Sequence, residues 1–491
     1  PVALGTRYAA ADARNTYDLY AVLGRELARR DQWGVYTNIE RPLVPLIADM
    51  ERGGVPLDLQ EVKRLYRDTV AIEMGVRYAV LDNYGYDIAK DTKSDNQALA
   101  FVTSVVGHDP GSLDQRVLTM FPQGEIDLLL LHRRSRTRRR NFLGRALRYM
   151  YAATRPERER QLFKSRSRFT AKGNLTDLGK FLEWKRNWTN SSGGQFRYFP
   201  RFNQAGNMDG DNRAAPRSGR LSSSGDINFT QSPRGDYRKI FVPPDGSLWW
   251  SWDYSGLELH IAAAVSGDKE MLRVLGEVCP DGNCKHFPKH GDLHSLLQHR
   301  VFQETGMMLD RADVIKPANF EQLYGGGANK LVEIVAKGRV YISKDVAQSV
   351  IDVHHRLFDG FWTWREDMVA TNRRRGFAET IRHRRRYIPE FHSHDSERQA
   401  YAARAGINHN MQGSAADIVK IAMNGVVPVL RRYGAHLCAQ VHDELDGWLP
   451  ETADLVGFRR EIEAVLTGIE LPNGLRLKVE GGFGKSWSEA H

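Results

Sequence analysis

Apolar residues in the first part of the chain recur at three- and four-residue intervals, the period of helices with one buried face. Residues 1–35 (with RYAAADARNTYDLYAVLGRELARR) read as one or two helices. Within 36–58, Leu43, Leu46, Ile47 and Met50 share a face that Gly53-Gly54 closes. Residues 59–190 are mostly helical by pattern. Residues 188–234 are rich in Gly, Ser, Asn and Arg, and read as loops with short strands, with aromatics alternating over Gln195-Phe196-Arg197-Tyr198-Phe199. Residues 246–253 (GSLWWSWD) read as a strand and 256–265 as a helix. A helical block follows from 292 to about 375, then a hairpin around Arg384–Pro389 and a long helix at 398–431. HLCAQV and LDGWL flank His442-Asp443-Glu444, a strand–turn–strand signal. The order helical, mixed, helical, mixed predicts an α+β chain whose sheet is assembled from distant segments.

Composition narrows the class. The 491 residues leave room for about three domains. No apolar run approaches the roughly 18 residues of a membrane helix, and no secretory signal opens the chain. Three cysteines exclude a disulfide scaffold and suit a reducing, cytoplasmic setting. The net charge of +10 favours a polyanionic partner, nucleic acid first. LHRRSRTRRR at 131–140 carries charge of one sign only, so counter-charge is needed, and phosphate contact is expected.

Two acidic sites stand where strands leave the core. Asp253 lies in WSWDYSGLELH, where a strand runs into a helix, and Asp443-Glu444 lies in QVHDELDGW, at a hairpin tip. Brought together, these edges make a negative pocket for two hard cations about 3.5–4 Å apart, each also binding phosphate oxygens. In-line phosphoryl transfer needs little beyond such metals, positioning and positive charge. Taken singly, Asp253 also reads as a helix cap and Asp443 as a turn residue. In RADVIKPANFEQLYG, Lys316, Phe320 and Tyr324 share one helix face at i, i+4 and i+8. Such a face can hold a nucleotide, with the lysine at the triphosphate, Phe320 against sugar and base, and Tyr324 with Gly325 beside the new base pair. It also reads as an aromatic core stripe with a snorkelling lysine.

Together these motifs resemble the family A DNA polymerases, bacterial DNA polymerase I and its phage relatives, from about residue 38 to the end. D-Y-S-G-L-E-L-H at 253–260, K-P-A-N-F-E-Q-L-Y-G at 316–325 and V-H-D-E-L at 441–445 are similar to the family's three polymerase motifs. S-G-R-L-S-S at 218–223 with N-F-T-Q-S-P at 228–233 is similar to its primer–template loop. R-A-G-I-N-H-N-M-Q-G-S-A-A-D at 404–417 is similar to its minor-groove helix. Asp292-Leu293-His294 and G-F-A-E-T-x3-R-R-x-Y-I-P at 376–389 match further motifs, the first reaching the triphosphate.

The resemblance implies a right-hand fold: a palm with an antiparallel sheet, helical fingers and a helical thumb. It divides the chain into an exonuclease-domain remnant (1–35), thumb with the start of the palm (36–200), first palm part (201–266), fingers (267–398) and second palm part (399–491). It implies a template-directed DNA polymerase acting on primer–template DNA with dNTPs, using two Mg²⁺ ions for which Mn²⁺ can substitute. Asp253, Asp443 and the backbone of Tyr254 would hold metal, with Glu444 in support. Lys316, Arg311 and His294 would meet the triphosphate, with Lys316 able to protonate the leaving pyrophosphate. Glu258 would exclude a ribose 2′-hydroxyl, Phe320 would disfavour dideoxynucleotides, and Tyr324 would stack at the insertion site. Arg220, Asn228, Arg404, Asn408, Gln412 and His442 would contact primer or template, and Arg133, Arg134 and Arg136 the duplex phosphates. Tyr8 and Asp12 match the last exonuclease motif (Y-x3-D). One of four expected acidic residues is retained, which implies no proofreading in this chain.

The sequence also departs from the pattern. Arg311 precedes Lys316 by five residues where the family has four. On an ideal helix that turns it about 140° away, and Pro317 disfavours a helical Lys316. A π-bulge or kink between Arg311 and Pro317 is therefore expected. His260 replaces an arginine, and residues 204–217 read as an insertion. Cys279, Cys284, His286 and His290 lie close enough in sequence to raise zinc binding against an ordinary loop, in an unfamiliar spacing. Reverse transcription and a non-catalytic DNA-binding role remain as alternatives. No sliding-clamp or other replisome partner is indicated.

Overall fold

The computed structural model describes residues 2–90, 96–154, 163, 167–168, 170, 176–190, 195–204, 218–224, 232, 235–277 and 285–490, with side chains from residue 9 onward. Its centre is a four-stranded antiparallel sheet in the order Val479–Gly484, Ser247–Tyr254, Glu444–Pro450, His436–Val441. The expected assembly from distant segments is therefore found. The SLWWSWDY strand lies between two partners and its middle is buried on both faces, as in an inner strand covered on both sides. Trp250, Trp252 and Tyr254 enter the main core, while Trp249 packs behind the sheet with Trp487 and Phe241. Gly447 lets the neighbouring strand come close, since a Cβ there would stand 1.9 Å from the His436 carbonyl oxygen.

Helices cover the main-core side. Leu257–Ser266 leaves the central strand directly, after a left-handed Gly256 (φ 65°). The helical block expected from 292 to 375 includes Leu293–Thr305, Lys316–Leu323, Ala328–Ala336, Lys344–Leu357 and Asp359–Arg375. The expected long helix is Ser396–Asn408 and Ser414–Tyr433, joined by a π turn at His409–Gly413. In length and mean hydropathy it passes for a membrane span, against the expectation from sequence, but 72% of its apolar window is buried. Its apolar residues serve the core.

The Leu59–Tyr84 and Gly124–Arg138 helices pack together. With Gln97–Val106 they enclose a separate small core of Val80, Phe101, Val102, Leu118, Ile126 and Leu129. Arg339 bonds from the distant helical block to the Phe121 and Gln123 carbonyls and pairs with Asp127. The arginine run at 133–140 finds part of its counter-charge within the chain. Arg139 forms a two-point pair with Glu73, Arg138 lies over the Tyr237 ring, and Arg133 donates to the Leu113 carbonyl. Arg134 remains exposed and Arg136 half-buried. Arg133 is half-buried and spends one of its donors on its own fold.

Candidate active site

The end of the central strand and the turn between two sheet strands lie side by side. Asp253 is in register with Glu444, and the Tyr254 N–H donates to the Asp443 carbonyl at 3.3 Å. His442 makes the turn with a left-handed backbone (φ 58°) and is exposed. The Tyr254 hydroxyl donates to the Leu466 carbonyl at 2.9 Å, so its ring is anchored in the core and its backbone stays at the strand end. Asp253 and Asp443, remote in sequence, therefore meet.

Asp443 Oδ1 is buried and accepts no hydrogen bond, with Arg220 Nη2 3.8 Å away. Burial pushes the Asp443 carboxyl up to about 7; Arg220 opposes this, and the negative neighbours Glu258 and Asp253 add to it. An orphaned carboxylate oxygen beside a second carboxylate is a donor set that suits a hard divalent cation.

A chain of polar contacts surrounds this pair. Glu258, in the first turn of Leu257–Ser266, accepts from Arg220 at 2.5 Å and from the Tyr324 hydroxyl. Gln412, in the π turn of the long helix, donates to the same hydroxyl at 3.1 Å. Burial and the Glu258 charge hold the Tyr324 phenol well above its usual range, so it remains a donor. Gly325 (φ 73°) follows the Lys316–Leu323 helix and lies against Arg365, whose Nη2 would stand 2.0 Å from a Cβ there.

The five-residue spacing is absorbed as expected: Arg311–Ile315 form a π turn that leads into Lys316–Leu323. Lys316 itself is helical (φ −62°, ψ −48°), against the expectation from Pro317. Pro317 follows directly on the π turn, so its missing N–H falls at the junction where the wider turn gives way to the α-helix. Lys316 is exposed and Phe320 half-buried, with its ring centroid 5.5 Å from that of His294.

Residues 202–489 match the sequence pattern of DNA polymerase family A. The chain belongs to this family. It is 29% identical to the thermostable DNA polymerase I of Thermus aquaticus over 93% of this chain and 48% of that protein. It is 33% identical to DNA polymerase I of Lactococcus lactis subsp. cremoris over 56% of this chain and 30% of the relative. The chain thus spans about half the length of the Thermus aquaticus relative. A solved structure, the POL domain of Pol1 from M. smegmatis in complex with DNA primer-template and dNTP, superposes with a TM-score of 0.70 at 22% identity. That match covers 96% of this chain and 74% of the other, and shows the α+β polymerase fold.

Within this family A chain some expected residues stand elsewhere. The Glu444 carboxylate is buried behind the sheet, where it accepts from Ser251 (2.8 Å), Trp487 Nε1 (2.6 Å) and Arg238 Nη1 (3.1 and 3.2 Å). It supports the hairpin from behind, a correction to its place among the catalytic carboxylates. No motif pointed to Arg238, Ser251 or Trp487, because burial alone selects them. Asp292 caps Leu293–Thr305 and pairs with Arg311 at 2.7 Å. Arg404 is exposed, and Asn408 is half-buried immediately before the π turn that carries Gln412. Asp12 is exposed on the continuous Val2–Arg29 helix, which also contains Tyr8. Asn228, Cys279, Cys284 and most of the expected insertion lie outside the described residues; of the four residues that raised zinc binding against an ordinary loop, His286 and His290 are described, with ring centroids 4.7 Å apart. Among the described residues no cluster of three or more His, Cys, Asp or Glu could hold a metal ion.

Arg238→Ala would leave Glu444 buried without its cation. It is expected to cost about 3–5 kcal/mol, read as a lower denaturation midpoint in urea.

Proposed function

We propose that this chain is a DNA-directed DNA polymerase that extends a primer 3′ end with dNTPs and releases pyrophosphate, in replication or repair. The observation that carries the proposal is the convergence of Asp253 with Asp443, whose buried Oδ1 lacks a donor, beside the Glu258–Tyr324–Gln412 chain. Asp253, Asp443 and the Tyr254 backbone would hold Mg²⁺, with Mn²⁺ as a substitute. Bound there, such ions supply charge stabilisation to the transferring phosphoryl group and activate the primer hydroxyl. Lys316 and Arg311 would neutralise the triphosphate, and Lys316 would give a proton to the leaving pyrophosphate. Phe320 and Tyr324 would flank sugar and base, and Glu258 would exclude the 2′-hydroxyl. Arg220, Asn228, Arg404, Asn408, Gln412 and His442 would position primer and template, with Arg134 and Arg136 near duplex phosphate. The proposed division is thumb with the start of the palm at 36–200, palm at 201–266 with 399–491, and fingers at 267–398; the separate small core at 80–130 supports a thumb, and the core shared by 55–65 and 142–198 with the sheet supports a palm that starts before residue 200.

Primer extension tests the proposal. A primed template with dNTPs and Mg²⁺ is expected to be extended, and NTPs are not. A chelator is expected to stop extension while leaving duplex binding in a filter or anisotropy assay unchanged. No extension with either Mg²⁺ or Mn²⁺ would overturn the assignment.

A further inference from the structure

A run of buried polar side chains lies beneath His294, unused by the mechanism above. The Trp362 indole Nε1 faces His354 Nδ1 at 3.2 Å, His354 Nε2 faces Asn319 Oδ1 at 3.1 Å, and Asn319 Nδ2 faces His294 Nδ1 at 3.0 Å. Asn319 and His354 have no exposed surface. The direction of each bond is fixed from one end. An indole N–H only donates, so His354 Nδ1 must accept. Neutral His354 then carries its proton on Nε2 and donates to the Asn319 carbonyl. The Asn319 amide group is thereby oriented to donate to His294 Nδ1, which must accept. The remaining proton of a neutral His294 is left on Nε2.

We propose that Asn319 and His354, locked by Trp362, are positioning residues that hold His294 as the Nε2–H tautomer, so that it offers a hydrogen-bond donor to a nucleoside triphosphate. The inference rests on the triphosphate assignment made above, and deepens it. Its physical basis is that His294 has no spare charge to offer. Burial lowers it to about 4; Asp292 opposes, and Arg311 and Lys316 reinforce the fall. His354, buried further, is lowered to about 3. A neutral imidazole helps an anion only if its proton faces it. In the other tautomer a lone pair would face phosphate and the Asn319 amide would be left against an N–H. The same helix thus carries two functions on two faces: Lys316 and Phe320 toward the nucleotide side, and Asn319 toward the His354 lock.

Two measurements test this, the first independent of activity. Long-range ¹⁵N–¹H spectra of histidine-labelled protein at pH 7.5, assigned by difference from His294→Gln and His354→Gln, are expected to show both rings neutral with the proton on Nε2. A His294 ring that is charged, or protonated on Nδ1, overturns the proposal. The second is steady-state extension with Asn319→Asp, whose carboxylate accepts from Nδ1–H and reverses the tautomer, compared with Asn319→Gln and His354→Phe. Asn319→Asp and His354→Phe are expected to raise KM for dNTP roughly tenfold while Kd for primer–template stays within about twofold. In a His294→Gln background the same changes are expected to have little further effect. Equal losses in both backgrounds, or an unchanged KM in a folded Asn319→Asp protein, overturn it. Wild-type protein that fails to extend a primer would instead remove the proposed function, and the spectra would still report the tautomer.

Discussion

Asp443→Asn is expected to lower primer extension on the order of a thousandfold or more, with primer–template affinity nearly unchanged. The amide keeps the size of the carboxyl but cannot supply the anionic oxygen that a hard cation needs. On the proposed function, duplex binding would draw instead on basic side chains away from Asp443, and is expected to survive the change. The same substitution carries a stability signature of opposite sign. In the folded protein the Asp443 carboxyl stands at about 7, well above the ordinary aspartate range. A raised folded value means the folded state holds a proton that the unfolded state has already lost. Stability therefore falls as pH rises from about 4 to about 7 and levels off above. Asp443→Asn has no charge to desolvate, so the metal-free variant is expected to melt a few degrees above wild type at pH 8, with the gap closing toward pH 4. Added Mg²⁺ is expected to raise the wild-type Tm at pH 8 and to leave the variant unmoved. Loss of activity together with lower stability would mean that the substitution had damaged the fold, and normal extension by the variant would remove Asp443 from the metal site.

Much of this site was legible in the chain because its chemistry is carried by short segments at element boundaries. A carboxylate where a strand ends is marked both by the apolar run before it and by the helix or turn after it, as at Asp253 and Asp443. The π turn before Lys316 was legible for a related reason: one extra residue in a helix must be absorbed locally, and Arg311–Ile315 absorbs it. What burial and pairing decide was not legible. Glu444 and Asp443 are neighbours in sequence, yet Glu444, the first strand residue, pairs with Arg238 behind the sheet, while Asp443, still in the turn, keeps a buried Oδ1 that accepts no hydrogen bond. Nor does a run of arginines show which of them a distant Glu73 will claim. The long helix at Ser396–Tyr433 shows the limit of hydropathy, since apolar length alone does not distinguish a core helix from a membrane span.

Glu258→Ala is expected to admit ribonucleotides, raising the ratio of NTP to dNTP incorporation by about 10²–10³-fold. Arg220 and the Tyr324 hydroxyl pin the Glu258 carboxylate on two sides, so it cannot swing away from an incoming 2′-hydroxyl. A sugar hydroxyl placed against it would have to displace one of these bonds or lose its own hydration, and either cost falls on ribose alone. Alanine removes the obstacle and leaves a space. It also releases Tyr324, which keeps one partner in Gln412, so a modest loss of dNTP efficiency should accompany the gain in NTP use. Tyr324→Phe separates the two effects: it removes the bond to Glu258 but leaves the carboxylate pinned by Arg220. That variant is expected to keep most of its sugar discrimination, and Glu258→Gln, which preserves bulk but not charge, to fall between. Competition assays with matched dNTP and NTP on one template measure all three. If Glu258→Ala discriminates as wild type does, the exclusion of ribose lies elsewhere in the site, and the pinned carboxylate serves only to order Arg220 and Tyr324 around Asp253 and Asp443.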